Sequence, residues 1–491
     1  MSALGGAMEA GTVRSLVPAR LDRLPWTRFH WRVITGLGAA WILDGLEITI
    51  VASVGTTLQD RGTLHLTTGD VGLLGSVYLL GEVFGALIFG RLTDILGRRR
   101  LFLITLATYL LASGIGGLAF SLWFLLVFRF IAGMGIGGEY TAINSAIDEL
   151  IPSYYRGRTD IIVNGTYWAG AMIGAAASIL LLNPNLLPIN FGWRLGFFIG
   201  PVIGVFAIYL RYVLPESPRW LMTHGRNDEA ERIVGEIEEK ARREGVKIEP
   251  VPESRALEVT GRGVVSYIQI AKTVITKYPS RSFLGFSMMV TQAFLYNAIF
   301  FSNASVLHKF YNIPPDRVGL YFFPFAVGNL LGPLLIGHLF DTVGRRIMIM
   351  LTYCGSAILL AISAVFFLNG ALTAVTQTLF WCGIFFLASA GASSAYLTVS
   401  EIFPLELRAQ AIALFFSISQ LAGGVAAPYI FGLLQNTRQE LTAGYLVGAA
   451  VMFIGGLIAW FFGVDAERKS LEEIATPLTA VIRGSPSRAG P

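Results

Sequence analysis

Twelve runs of about twenty apolar residues divide this 491-residue chain, and no other feature restricts its folding as strongly. A hydrocarbon layer is crossed by a helix of about 20 apolar residues. Inside that layer a backbone must satisfy its own polar groups, which leaves helices as the fold of such runs. They lie near 32–57, 70–91, 100–120, 123–148, 160–182 and 193–214, then near 283–307, 318–340, 346–368, 372–398, 409–434 and 440–463. Composition agrees: 54% of residues are hydrophobic, 14% are charged, and mean hydropathy is +0.61. A soluble chain is nearer a quarter charged. The predicted fold is therefore an all-α membrane protein with twelve transmembrane helices.

The domain reading follows from the runs. Residues 1–31 form a tail, 32–214 a first six-helix bundle, 215–281 a polar central loop, 282–463 a second bundle and 464–491 a second tail. The loop holds NDEAERIVGEIEEKARR, a charged amphipathic helix with Asn227 as its expected N-cap. Cys354 and Cys382 sit in apolar runs and read as small core residues, not as a disulfide framework. The first thirty residues lack a signal peptide's short apolar core and cleavage site.

Lys and Arg set the orientation. One side has the first tail, GRRR (97–100), YYRGR (154–158), the central loop, GRR (344–346), Arg408 and ERK (467–469). The other has only Arg61, Lys309, Arg317 and Arg438. Both termini are thus expected in the cytoplasm, with the protein integral to a plasma membrane, the inner one in a bacterium. The net charge of +5 is explained by these loops, so no nucleic-acid partner is implied.

The halves repeat. GRLTDILGRR (90–99) matches GHLFDTVGRR (337–346), and ELIPSYYR (149–156) matches EIFPLELR (401–408), at offsets of 247 and 252 residues. Equivalent loops on one face imply two pseudo-symmetric bundles related by an axis along the membrane normal.

These motifs resemble the major facilitator superfamily over the whole transmembrane core. PESPRWL (215–221), KSLEEI (469–474) and RFIAGMGIGGEY (129–140) resemble its sugar-porter branch. Asp-Gly-Leu-Glu in span 1 and Gly-Gly-Glu in span 4 are similar to metabolite–proton symporters and synaptic-vesicle-glycoprotein relatives. The resemblance implies a gate built from Gly90, Asp94, Gly97, Arg98, Arg99, Glu149 and Arg156, repeated as Asp341, Gly344, Arg345, Arg346, Glu401 and Arg408. Asp94 is expected near the start of span 11, where a helix N-terminus favours a carboxylate by about 0.3–1 kcal/mol. Arg98 or Arg99 would reach Glu149, and Arg345 or Arg346 would reach Glu401, as pairs at a wet surface contributing about 0–1 kcal/mol each.

Span 1 carries Asp44 and Glu47, three residues apart and so on one helix face. A charge at the bilayer centre costs roughly 2.5–3.5 kcal/mol or more, so such acids face a watery cavity or a partner. Arg129 in span 4 is the obvious partner, at the head of a stripe with Gly133 and Gly137. Glu139 lies about 15 Å further along that helix. By resemblance, Gly45-Leu46-Glu47 aligns with the Gly-Tyr-Asp of proton-coupled sugar porters, which makes Glu47 the proton carrier and Arg129 its switchable partner. Burial favours a neutral carboxylate and a nearby arginine favours the charged form, so movement of Arg129 would drive proton uptake or release. Two other readings stand beside this one, direct binding of a cationic substrate and a structural polar network. Glu82 in span 2 is a weaker candidate, as apt for a helix interface as for function.

For the substrate cavity the resemblance points to Gln292 and Asn297 in span 7 and to Asn164 in span 5, at sugar-contacting positions. The porter's first glutamine, its tyrosine pair and its stacking Trp are replaced, by Thr291, Phe301 with Ser302, and Ser393, Ser394 and Tyr396. Tyr167, Trp168, Tyr296, Tyr396 and Gln420 complete the candidate lining. Such a lining suits a small aromatic or carboxylated metabolite about as well as a sugar. No GxxxxGK[ST] loop and no metal-ligand spacing is present, so no cofactor is implied. The expected function is secondary active transport by alternating access, with protons and a small molecule as partners, the lipid bilayer as surroundings and a monomer as the unit. The alternatives are a uniporter, a proton-antiport exporter and a non-transporting sensor. Both gate sets are intact, against the sensor, and no nucleophile–base constellation suggests an enzyme.

Overall fold

The computed structural model describes residues 12–183, 185–212, 215–260, 267–313, 315–425, 431, 434 and 437–476. Its helices follow the apolar runs. Spans 1 to 4 are Arg28–Thr57, Thr68–Leu96, Arg98–Gly116 and Leu122–Leu150. Span 5 is Arg156–Gly165 continued by Tyr167–Leu181, and span 6 is Ile189–Tyr212. Spans 7 to 10 are Pro279–Tyr311, Pro315–Ile336, Arg345–Leu368 and Ala374–Ile402. Span 11 begins as Leu405–Ser419, passes into a π-turn at Gln420–Val425, and span 12 is Arg438–Phe462. Among the described residues, seven helices are long and apolar enough to cross a membrane by themselves.

The motif glycines act as helix stops. Gly97 at φ +90° and Gly344 at φ +117° occupy the left-handed region, which L side chains enter only with strain. Each releases the chain into a new helix whose first amide meets a carboxylate. Glu216 of PESPRWL accepts from Arg98 N at 2.8 Å, and Glu467 accepts from Arg345 N at 3.4 Å. Negative charge at a helix N-terminus is favoured. The stripe in span 4 also has a physical use. A Cβ at Gly133 would overlap the Tyr78 carbonyl, and one at Gly137 the Glu82 carbonyl. Only glycine permits the close packing of spans 2 and 4 that places Tyr78 and Glu82 beside Arg129.

The amphipathic loop helix spans Asn227–Arg243, with Arg226 as its cap residue. Asn227 is therefore its first helical residue and not the N-cap, a correction to the sequence reading; its Oδ1 has no hydrogen-bond partner among the described residues. Both cysteines are free, Cys354 buried and Cys382 half-buried.

One element escaped the sequence reading. Tail residues Thr12–Ser15 pair antiparallel with Leu257–Thr260 of the central loop, Thr12 facing Thr260 and Ser15 facing Leu257. The short helix Val17–Asp22 follows, and its Arg20 and the residue after the helix, Arg23, dock on the loop helix. Arg20 Nη2 and Arg23 Nη2 donate to Glu238 at 2.9 and 2.6 Å. Asp22 accepts from Arg219 at 2.8 Å and Arg156 at 3.3 Å, and Arg219 also meets Glu472 at 3.2 Å. Tail, loop and C-terminal segment thus cover one face of the bundle, here called the terminal face.

Burial opposes ionisation of Glu238, but the hydrogen bonds and charges of Arg20 and Arg23 outweigh it and hold the carboxyl below its ordinary value of 4.5. A lowered folded value means that docking contributes fully above pH 4.5 and fades as pH falls through the lower value. Amide protection across residues 12–24, measured by hydrogen exchange, is expected to hold at neutral pH and collapse in acid. Glu238→Gln should loosen the tail at neutral pH already.

Candidate functional site

A cavity of about 610 Å³ lies between the two bundles. All eight residues expected to touch a substrate stand in its wall: Asn164, Tyr167 and Trp168 from span 5, Gln292, Tyr296 and Asn297 from span 7, Tyr396 from span 10, and Gln420 from the π-turn of span 11. Trp41, Tyr78 and Tyr140 add to its aromatic surface. Toward the face opposite the termini the wall continues through Gly55, Leu58, Val71, Leu74 and Leu125. Toward the terminal face it ends on a stack of rings from both bundles. Tyr140 lies 6.0 Å from Tyr396 and 4.9 Å from Phe416, both near parallel.

Among the described wall residues, Glu82 and Arg129 carry charge. The Arg129 guanidinium lies over the Tyr78 ring, 4.0 Å from its centre, and its Nη1 approaches Glu47 Oε1 at 3.8 Å. Glu47 is 1% exposed, and the same oxygen accepts a hydrogen bond from Ser113 Oγ of span 3. Arg129 Nε and Nη1 find no hydrogen-bond acceptor among the described residues. The geometry is an ion pair held just beyond hydrogen-bond distance, with Nε, and Nη1 on release from Glu47, available to another acceptor. Asp44 is buried one turn before Glu47. Glu139 is buried too, but stands farther along span 4 and outside the cavity wall.

Glu82 has a clearer place than its sequence suggested. It is 3% exposed and accepts from Gln420 Nε2 at 2.9 Å, while Ser417 donates to Val83 O at 3.3 Å. These bonds join span 2 to span 11, one bundle to the other. An acid inside an apolar run was the signal; its partner lies 338 residues away.

Below the ring stack the motif residues close the terminal face. Asp341 accepts from the amides of Gly157 and Arg158 at 3.2 and 2.8 Å, the first turn of span 5. Arg345 binds Asp341 at 2.6 Å and Glu401 at 3.0 Å. Arg156 reaches Glu401 at 3.6 Å, and Arg408 reaches Asp148 at 3.9 Å, each across the bundles. Within the first bundle Arg98 pairs with Glu149 at 2.7 Å. The second arginines of each motif do otherwise. The Arg99 amide turns to Glu216, and Arg346 donates to the Trp460 carbonyl and lies 5.0 Å from that ring. Gly90 lies buried within span 2; the side chain of Asp94 lies outside the described ones, as do those of Phe301 and Ser302.

One energetic expectation changes. The sequence motifs suggest pairs at a wet surface, yet Arg98, Glu149, Arg345 and Glu401 are all 3% exposed or less. Stripping one partner from a buried pair leaves an uncompensated charge and costs about 3–5 kcal/mol, well above a surface pair. Two acids of this layer, Asp148 and Asp160, were absent from the sequence-based set although both lie inside apolar helices and are fully buried.

Comparison with known proteins supplies the context for this geometry. A family model described as "Sugar (and other) transporter" matches residues 32–478. The niacin transporter NiaP of Acinetobacter baylyi is 27% identical over 459 residues, covering 93% of this chain and 99% of that one. The cis,cis-muconate transport protein of the same organism is 24% identical over 425 residues, 86% and 92% of the two chains. Among solved structures, the proton:xylose symporter XylE bound to a bromodeoxyglucose overlays with TM-score 0.74 at 19% identity, over 91% of this chain and 98% of that one. The overlay falls to 0.64, at 18% identity and 88% and 99% coverage, with the partially occluded inward-open form of XylE from E. coli.

Proposed function

The chain belongs to the sugar (and other) transporter family of the major facilitator superfamily and is an integral membrane transporter, and from that premise we propose that it couples the entry of a small aromatic carboxylate to the entry of protons. The terminal face is cytoplasmic in this reading, as the positive loops require. One observation carries it: the buried Glu47–Arg129 pair beside a cavity sealed on its terminal side. Arg129 offers a carboxylate its Nε, and its Nη1 on release from Glu47, neither of them hydrogen-bonded among the described residues. When the carboxylate binds, the arginine's hold on Glu47 weakens and Glu47 takes a proton, so substrate and proton load together. Rearrangement of the halves then exposes both to the cytoplasm.

The choice of substrate rests on the wall. Eight aromatic residues and a cavity of about 610 Å³ favour a flat, small molecule, while the amide-rich surface that a sugar's hydroxyls need is thin. Relatives named for niacin, an aromatic carboxylate, and for cis,cis-muconate, an open-chain one, support the carboxylate.

Purified protein in liposomes with an internal pH dye tests the proposal. Nicotinate and benzoate should acidify the lumen faster than in protein-free liposomes, and xylose and choline should not. Labelled nicotinate entering with no proton signal would make this a facilitator. A proton signal with xylose alone would return the substrate to the sugars.

A further inference from the structure

Asp160 stands apart from every other acid in the sealed layer. It lies in the first helix of span 5, one turn below the cavity residue Asn164, and is 0% exposed. Its Oδ2 accepts from Asn164 Nδ2 at 3.1 Å, while its Oδ1 has no hydrogen-bond partner among the described residues. Among the described residues no arginine or lysine nitrogen lies within 4 Å of it, whereas Glu149, Asp341, Glu401 and Asp148 each have one. The charged groups that face it are Asp148 from span 4, Glu401 from span 10 and Arg345 from span 9. Two are acids, and Arg345 is already bound to Asp341 and Glu401. Asp341, from the segment after span 8, is engaged by Arg345 and the two span 5 amides.

A carboxylate shut away from water beside two other acids, with no cation of its own, is among the costliest groups a protein interior can hold. The cheapest remedy is a proton. We propose that Asp160 is a second proton-binding site, loaded from the cavity while the terminal face is sealed and emptied when that face opens. Loading forms an O–H bond at Oδ1, the proton coming from cavity water past Asn164. Emptying breaks that bond and passes the proton to water on the terminal side, once the Asp341–Gly157 and Arg156–Glu401 contacts between the bundles part and the carboxylate is hydrated. Proton occupancy then differs between the two states, and by linkage a proton on Asp160 stabilises the sealed one. This rests on the proton-coupled reading above but assigns a different residue from Glu47 and a cycle of two protons.

Two measurements on the full-length protein test it. Infrared spectra in lipid, recorded between about pH 5 and pH 9, should show a protonated-carboxyl band that Asp160→Asn removes and Glu47→Gln retains. This readout needs no substrate and holds whether or not nicotinate is transported. Second, with the membrane potential clamped, a one-unit inside-alkaline gradient should concentrate labelled nicotinate about a hundredfold in the native protein and about tenfold in Asp160→Asn, each proton contributing a factor of ten per pH unit. Counterflow of nicotinate, which needs no net proton movement, should survive and shows that the variant is folded. An unchanged band in Asp160→Asn overturns the assignment, as does undiminished accumulation. A band abolished by sodium chloride but not by choline chloride would mark a sodium site instead. If the native protein accumulates nothing under the gradient, proton coupling fails while the infrared result still decides whether Asp160 binds a proton.

Discussion

Glu47→Gln is expected to lower nicotinate accumulation about tenfold under a one-unit inside-alkaline pH gradient, the contribution of one proton at 1.36 kcal/mol per unit. Counterflow should persist, and that split identifies a coupling residue. The amide keeps the size of the carboxyl and a partner for Ser113, whose hydroxyl bonds Glu47 Oε1. It can neither take up nor release a proton. It also frees Arg129 from its 3.8 Å partner, so the cavity keeps a permanently available cation. Nicotinate should then bind at least as tightly as in the native protein, with an affinity that depends less steeply on pH. Uptake measured with the pH dye and binding measured by calorimetry give the two halves of the result. Equal accumulation in variant and native protein would place coupling elsewhere and leave Glu47 as a structural group of the span 1–3–4 contact.

Arg345→Ala is expected to unseal the terminal face. Arg345 is 2% exposed and holds Asp341, Glu401 and the Phe340 carbonyl, at 2.6, 3.0 and 2.7 Å. Its removal leaves two buried acids without their main counter-charge, at about 3–5 kcal/mol. That cost falls on the sealed state alone, because water reaches these groups when the halves part. A shift of about 5.5 kcal/mol carries a two-state equilibrium from 1:99 to 99:1. The variant should therefore pass from mostly sealed to an even mixture or beyond. A cysteine at position 161, where Ile161 is fully buried against Gly337, reports it in a background with Cys354 and Cys382 replaced by serine. Its labelling by an impermeant maleimide should rise more than tenfold. Arg345→Lys keeps the charge but loses the two-pronged geometry, and should fall between. Unchanged labelling in Arg345→Ala would mean that the ring stack of Tyr140, Tyr396 and Phe416 seals this face without the ion pairs.

The sequence alone determined the spans, their two-fold repeat and the side on which the basic loops gather. Each of these depends on neighbours in the chain: a run long enough for a bilayer, a motif met twice, a count of arginines. It also determined which residue types could meet, since an acid and an arginine inside apolar helices must find relief somewhere. Tertiary structure decided who meets whom. Glu82 finds Gln420 and Asp341 finds the amides of Gly157 and Arg158, because the rotation and tilt of each helix are set by contacts hundreds of residues apart. It moved the gate pairs from surface to interior, and so raised their energetic weight. It paired the first tail with the central loop, where four residues carry too little periodicity to announce a strand. It also showed Asp160 alone among acids that each have an arginine, a property of the space around a side chain that no spacing along the chain records.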